Sequence, residues 1–198
     1  MVERHAITGL VLAGGRGTRM GGVDKGLQDF HGQPLALHAL NRLRPQVGGL
    51  VLSANRHLAD YAAFGVPVWP DADAEFAGPL AGMLAGLAHC PTPYLATVPC
   101  DAPLFPQDLV ARLAAVDADI VVATAPDDTG VQRTQPVFCL LRTHLHASLA
   151  AFLAAGGRKV GQWMAQHHCE RVAFGGAMAF ANANTLAELA IIQHQIGL

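Results

Sequence analysis

The chain has 198 residues, of which 52% are hydrophobic and only 14% are charged. At roughly 150 residues per domain, we expect a single domain over residues 1–198, and the composition excludes intrinsic disorder. Thirteen basic and 15 acidic residues leave a formal net charge of −2, which predicts no general attraction to nucleic acid or to an anionic membrane. The four cysteines are scattered and form no C-x-x-C pair, a usage typical of free thiols in a reducing compartment. We therefore expect a cytoplasmic protein with no nucleic-acid or membrane partner.

Short apolar runs alternate with helical patterns along the chain. Strands are predicted, in order, over 7–12, 50–54, 66–69, 94–98, 119–123, 136–141 and 170–174. Helices are predicted over 34–43, 57–64, 79–88, 108–116, 144–154, 160–167 and 185–196. Nearly continuous apolar strands that alternate with helices predict an α/β fold with a parallel sheet covered on both faces.

The first predicted strand ends in a glycine-rich loop, GGRGTRMGGVDKG at residues 14–26. Glycines allow backbone N–H groups to approach a ligand closely, and successive N–H groups in such a turn form an anion-binding concavity. The loop also holds three cations, Arg16, Arg19 and Lys25, in a chain that has few charges. The combination favours binding of a phosphate chain, and the alternative is a flexible loop with solvated arginines. No G-x-x-x-x-G-K-[ST] loop is present, because Lys25 is followed by glycine, and G-x-G-x-x-G fails at Met20.

A second candidate position follows the fourth predicted strand, where Asp101 lies close to Pro99 and Pro103. Ligands of open parallel sheets bind beyond the carboxyl ends of the strands, so Asp101 is expected at the same edge as the glycine loop. A rigid carboxylate beside a triphosphate is the usual way in which a protein holds Mg²⁺. The alternative role is to cap the following helix, for which Asp108 is the better placed residue.

Asp71 and Asp73 follow the third predicted strand, ahead of a helix that contains Gly82. For Asp71 we predict base recognition, because a carboxylate can accept both the N1–H and N2–H₂ donors of guanine. Adenine and cytosine offer no such donor pair and would leave a buried carboxylate unpaired, at about 1–3 kcal/mol. Solvated turn aspartates are an equally good interpretation. Gly82 either lets its helix pack closely or exposes backbone N–H groups near a ligand.

Six motifs together resemble the bacterial molybdenum cofactor guanylyltransferases. They are LAGGxxxRMGGxDKG at 12–26, ANR at 54–56, GPLAG at 78–82, PCDxP at 99–103, QPV at 135–137 and NANT at 182–185. The resemblance covers nearly the whole chain, and RMGGxDKG is its specific part, whereas LAGG occurs in many nucleotidyltransferases. It implies a Rossmann-like three-layer nucleotidyltransferase fold with a mostly parallel central sheet. It also implies transfer of GMP from GTP to the terminal phosphate of molybdopterin, with Mg²⁺ as cofactor and release of pyrophosphate.

The resemblance also implies roles for individual residues. GTP would be bound in the N-terminal part, by Leu12, Ala13, Gly14, Gly15, Lys25, Ser53, Asn55, Asp71, Gly82 and Asp101, with Asp101 also on Mg²⁺. Ser53 departs from the family, which often has asparagine there, and a hydroxyl can make only part of the contacts of an amide. Molybdopterin would be bound in the C-terminal part, by Gln135, Arg158, Asn182 and Asn184. Two alternatives remain open: the NANT segment at 182–185 as a loop and N-cap before the last helix, and Arg158 as a partner of a helix end.

The predicted mechanism is in-line attack by a phosphate oxygen of molybdopterin on the α-phosphorus of GTP. Lys25, Arg19 and the ion held by Asp101 would stabilise the developing charge. Rival enzymes are a molybdopterin cytidylyltransferase and a sugar-phosphate nucleotidyltransferase. A different class, a catalytically silent GTP-sensing module, would bind GTP without releasing pyrophosphate. We expect a monomer that meets other molybdenum cofactor biosynthesis proteins only transiently.

Overall fold

The structure is a computed structural model, and it describes residues 2–14, 23–70 and 78–196. Within these residues, seven strands form one sheet: β1 (Ile7–Leu12), β4 (Gly49–Ser53), β5 (Val68–Trp69), β6 (Tyr94–Pro99), β7 (Ile120–Pro126), β8 (Gln132–Arg142) and β9 (Cys169–Ala173). Their order across the sheet is β5-β4-β1-β6-β8-β7-β9. A separate hairpin pairs β2 (Asp29–Phe30) with β3 (Gln33–Pro34). The α-helices are α1 (Leu35–Leu43), α2 (Leu58–Ala62), α3 (Pro79–His89), α4 (Leu109–Leu113), α5 (His146–Ala154), α6 (Val160–Met164) and α7 (Leu186–Ile196).

Successive strand residues point to opposite faces, and this alternation builds two hydrophobic cores. Val11 and Leu52 enter a core covered by α1, α2 and α4, whereas the neighbouring Leu10 and Val51 enter a core covered by α3, α5 and α6. The result is a helix–sheet–helix sandwich. It confirms the predicted three-layer α/β fold.

The sheet is mostly parallel, but β8 is not. It runs antiparallel to both of its neighbours, β6 and β7, while the other paired strands of the sheet are parallel. The mostly parallel central sheet implied by the family resemblance is therefore confirmed, with β8 running against its two neighbours. Because β8 is reversed, its first residues, 132–136, lie at the edge of the sheet where the parallel strands end.

The hairpin of β2 and β3 supports the last helix of the chain. Its two turn residues, His31 and Gly32, both have positive φ (52° and 79°), as a tight two-residue hairpin turn requires. Phe30 is fully buried in a third core together with Leu189 and Ile192 of α7. Gln193 Nε2 also donates a hydrogen bond of 3.1 Å to the Asp29 carbonyl. α7 is thereby held close to the segment that follows the glycine loop.

None of the helices in the described part of the chain is long and apolar enough to cross a membrane.

Candidate functional site

The carboxyl ends of β1, β4 and β6 form one edge of the sheet, called here the rim. Leu12 pairs with Ser53 on one side and with Pro99 on the other. Beyond the strands, Ala13 N donates to the Ser53 carbonyl at 2.8 Å, and Cys100 N donates to the Leu12 carbonyl at 3.0 Å. The start of the glycine loop is therefore fixed between the segments that carry Ser53 and Asp101.

Lys25 joins two of the other predicted site residues at the rim. Its Nζ lies 3.2 Å from Asp101 Oδ2 and donates a hydrogen bond of 2.8 Å to Asn184 Oδ1. The side chains of Lys25 and Asp101 are 22% and 19% exposed, so both remain open to a ligand. An ammonium and a carboxylate lie side by side here, which suits a ligand that carries phosphates together with a cation.

The C-terminal segment is fastened to Asp101 through its backbone. Ala183 N donates to the Asp101 carbonyl at 2.7 Å, and Ala183 is fully buried. The next two residues enter α7 through a capping box, in which Glu188 accepts from the backbone N of Asn184 and Thr185 while Thr185 Oγ1 accepts from Glu188 N. The helix-cap interpretation of this segment is confirmed for Thr185. The side chain of Asn184 is left to bond Lys25.

The segment around Lys25 is anchored by a buried carboxylate that sequence analysis did not select. Asp24 is 7% exposed and accepts hydrogen bonds from Tyr61 Oη at 2.6 Å and from Gly26 N at 3.0 Å. Arg56 Nε lies 4.0 Å from its other oxygen. Two motifs touch this cluster, DKG at 24–26 and ANR at 54–56, but Tyr61 lies 37 positions from Asp24 and outside both.

Gly82 allows α3 to pack directly against the rim. A Cβ at this position would lie 2.5 Å from Leu12 Cδ2 and 2.8 Å from Ser53 Oγ, which is too close for either atom. Ser53 itself is buried, at 1% exposed, whereas Asn55 just beyond β4 is exposed. The close-packing interpretation of Gly82 is therefore confirmed, and it places the first turns of α3 beside Ser53.

The remaining residues predicted for the pterin lie in three different settings. Gln135 lies at the start of β8, opposite Ala123, and is half-buried. Asn182 is exposed, next to the buried Ala183. Arg158 donates from Nη1 to the carbonyls of Leu153 (3.0 Å) and Gly157 (2.7 Å), at the end of α5. These bonds fit the helix-end interpretation of Arg158.

Several predicted residues lie outside the described part of the chain. They are Gly15, Arg16 and Arg19 of the glycine loop, and Asp71 and Asp73 after β5.

Two weakly acidic side chains beside Asp101 and Asp24 have raised pKa values. Burial raises the pKa of the Cys100 thiol well above its usual value, and the neighbouring Asp101 acts in the same direction. Burial and the hydrogen bond to Asp24 likewise raise the pKa of Tyr61. Cys100 is thus a neutral core side chain, and the Tyr61 hydroxyl keeps the proton that it donates to Asp24.

Residues 9–172 match the MobA-like NTP transferase domain family. Curated relatives named molybdenum cofactor guanylyltransferase include one from Acidovorax ebreus, 60% identical over 202 residues and covering 96% of both chains. Others are from Bordetella petrii, 60% identical (96% of this chain, 98% of the relative), and Cupriavidus necator, 56% identical (96% and 97%). Among solved structures, the molybdopterin-guanine dinucleotide biosynthesis protein A from Archaeoglobus fulgidus has a TM-score of 0.76 at 17% identity, covering 96% of this chain and 98% of that one. At that identity the likeness supports the fold.

Proposed function

The chain belongs to the molybdenum cofactor guanylyltransferases within the MobA-like NTP transferase family, and we propose on this premise that it transfers GMP from GTP to the terminal phosphate of molybdopterin. It is a nucleotidyltransferase, and its product is the guanine dinucleotide form of the cofactor. The observation that carries the proposal is the 60% identity to a guanylyltransferase over 96% of both chains.

The reaction is a displacement at the α-phosphorus of GTP. A phosphate oxygen of molybdopterin forms the new bond to this phosphorus, the bond to the bridging oxygen breaks, and pyrophosphate leaves with the bonding electrons. The attacking oxygen is already ionised, so no general base is needed. Catalysis then consists of positioning and of stabilising the charge that develops on pyrophosphate. We assign this stabilisation to Lys25, whose ammonium is at the rim, and to Arg19.

Asp101 is the residue that we propose to hold Mg²⁺. It is a partly exposed carboxylate, the hard oxygen donor that Mg²⁺ prefers, and triphosphate oxygens and water commonly complete the coordination. Among the described residues, no three His, Cys, Asp or Glu side chains come together as a metal site, so an ion at Asp101 would depend on the triphosphate and water for its other ligands. When bound, the ion neutralises phosphate charge. Asp101 would hold and orient it, and Lys25 would supply a further positive charge for the phosphates.

The two substrates meet at the rim in this proposal. GTP lies on Leu12, Ala13, Gly14 and Gly15 with its phosphates toward Lys25, and its ribose or base reaches Ser53, Asn55, Asp71 and Gly82. Molybdopterin lies on the other side, toward Gln135, Arg158, Asn182 and Asn184. Lys25 bonds to Asn184 and Asp101 bonds to Ala183, so hydrogen bonds connect the N-terminal part proposed for GTP with the C-terminal part proposed for molybdopterin. These bonds support one nucleotidyltransferase domain over 1–198. We propose a cytoplasmic monomer that meets other cofactor-biosynthesis proteins transiently.

Pyrophosphate release tests the proposal when it is measured with each of the four nucleoside triphosphates, with and without molybdopterin. GTP should be used and should require molybdopterin. Activity with CTP alone would identify a cytidylyltransferase, and activity with a sugar phosphate would identify a sugar-phosphate nucleotidyltransferase. Tight GTP binding without pyrophosphate from any acceptor would identify a silent sensing module.

A further inference from the structure

We propose that Tyr61 is a positioning residue for Lys25, acting through the buried carboxylate of Asp24. The inference rests on the proposed function, in which Lys25 acts on the phosphates of GTP.

Asp24 is held by donors from two separate parts of the chain. Tyr61 of α2 donates its hydroxyl at 2.6 Å, and the backbone N of Gly26 donates at 3.0 Å, both to the same oxygen. Arg56 lies 4.0 Å from the other oxygen. Asp24 is 7% exposed, so these protein donors take the place of water at a charged group.

Tyr61 is itself held rigidly. Its side chain is fully buried, and its ring packs edge-on against Phe64, with the ring centroids 5.7 Å apart. The hydroxyl also occupies the space above Gly26, where a Cβ would overlap it. The absence of a side chain at Gly26 is therefore what lets Tyr61 reach Asp24.

These contacts fix the backbone on both sides of Lys25. Asp24 precedes it and caps the 3₁₀ turn Lys25–Leu27, and Gly26 follows it and bonds back to Asp24. Gln28 closes the turn by donating from Nε2 to the Asp24 carbonyl at 2.9 Å. The Lys25 side chain therefore extends from a turn that these hydrogen bonds hold in place, and its ammonium contacts Asp101 and Asn184. A lysine side chain is long and flexible. Its backbone must therefore be fixed if the ammonium is to contact the charge that develops on pyrophosphate in one defined position.

The test is a double-mutant cycle between Tyr61→Phe and Lys25→Met, with pyrophosphate release as the readout. Tyr61→Phe removes only the hydroxyl and should lower kcat about tenfold while the KM for GTP changes less than about threefold. In the Lys25→Met background, the same change should alter the residual rate less than about twofold, because the group being positioned is gone. Tyr94→Phe is the matched control, since Tyr94 begins β6 at the end opposite Asp101 and should leave the rate unchanged.

A purely structural role for Tyr61 would lower the rate by the same factor in both backgrounds, and that result would overturn the proposal. An unchanged kcat in Tyr61→Phe would also overturn it.

A second readout needs no substrate. Hydrogen exchange of the Gly26 amide, which bonds to Asp24, should become at least about fivefold faster in Tyr61→Phe than in Tyr94→Phe. If wild-type protein released no pyrophosphate from GTP, the proposed function would fail while this measurement still decided whether Tyr61 positions the turn. Unchanged exchange would contradict the positioning role.

Discussion

Lys25 and Asn184 are 159 positions apart in the sequence, yet a hydrogen bond of 2.8 Å joins the ammonium of one to the side-chain carbonyl of the other. The bond connects the residue proposed for the phosphates of GTP with one proposed for the pterin. Lys25 also lies 3.2 Å from Asp101, the candidate metal ligand. Its ammonium therefore contacts this ligand and a residue proposed for molybdopterin at the same time.

Asp101→Ala should nearly abolish turnover while the protein still folds. Loss of a charge contact of this kind typically lowers the rate about 10²–10³-fold. Pyrophosphate release as a function of Mg²⁺ concentration, with circular dichroism as the folding check, measures the effect. Asp108→Asn is the matched control, because Asp108 is exposed and its side chain makes no capping bond to α4. Normal Mg²⁺-dependent activity in Asp101→Ala would refute the assignment.

Asp71→Asn should relax the selectivity for guanine. An amide cannot accept both donors of guanine as a carboxylate does, so the penalty of about 1–3 kcal/mol against other bases should shrink. Relative kcat/KM for GTP, ATP and CTP measures this change. If guanine selectivity is the same as in wild-type protein, Asp71 does not recognise the base.

Glu188→Ala should loosen the beginning of α7 and with it the position of Asn184. Glu188 accepts from the backbone N of both Asn184 and Thr185, and loss of a helix cap costs about 1 kcal/mol. Urea unfolding should show that decrease in the free energy of unfolding, and kcat should fall as well. Glu170→Ala, a change to an exposed glutamate on β9, is the comparison and should leave kcat unaltered. A stability loss with unaltered kcat in Glu188→Ala would show that the cap does not influence the site.

Gly82→Ala should destabilise the protein, whereas Gly161→Ala should not. A Cβ at Gly82 would press on Leu12 and Ser53, and overpacking of this kind costs about 1–3 kcal/mol. Gly161 lies within α6 with open space around the same position, so alanine there should stabilise the helix by about 0.5–1 kcal/mol. Thermal or urea unfolding of the two variants shows whether each substitution lowers or raises the free energy of unfolding. Equal effects would contradict the close packing at the rim.

Cys139 should make the protein less stable as the pH rises from about 9 to about 12. Burial raises the pKa of its thiol from 9.0 to about 12, and a hydrogen bond with Thr97 acts in the opposite direction. Between these values the unfolded chain has lost this proton and the folded chain has kept it. The free energy of unfolding therefore falls, by at most about 1.4 kcal/mol per pH unit for one group. Urea unfolding from pH 8 to 11 should show a shallower decline in Cys139→Ala, and an identical decline would contradict the prediction.

The layers of the fold could be predicted from the sequence because each strand is a short apolar run with its own signal. The hairpin under α7 could not, since β2 and β3 have two residues each and leave no periodic pattern. The direction of β8 was also hidden, because a buried strand has the same apolar residues whether it runs parallel or antiparallel.

For the candidate site, local motifs identified Lys25 and Asp101 separately. Their contact, and the bond between Tyr61 and Asp24, depend on chain folding across 76 and 37 positions. Tyr61 carried no local signal, since a tyrosine on the apolar side of a short helix is an ordinary core residue. Its hydroxyl is seen to be a donor only once α2 is packed against the turn Lys25–Leu27, at the end of the glycine loop.

The hydrogen bond from Ala183 to the Asp101 carbonyl also limits how such a protein can be engineered. A chain cut just before residue 182 would keep every strand of the sheet. The loop that carries Asp101 would nevertheless lose the hydrogen bond from Ala183, and Lys25 would lose its hydrogen bond to Asn184. We therefore expect that a foreign C-terminal tail grafted onto this sheet would also disturb the loop that carries Asp101. Any such chimera would also have to restore the hydrogen bonds that its new C-terminal segment makes to Asp101 and Lys25.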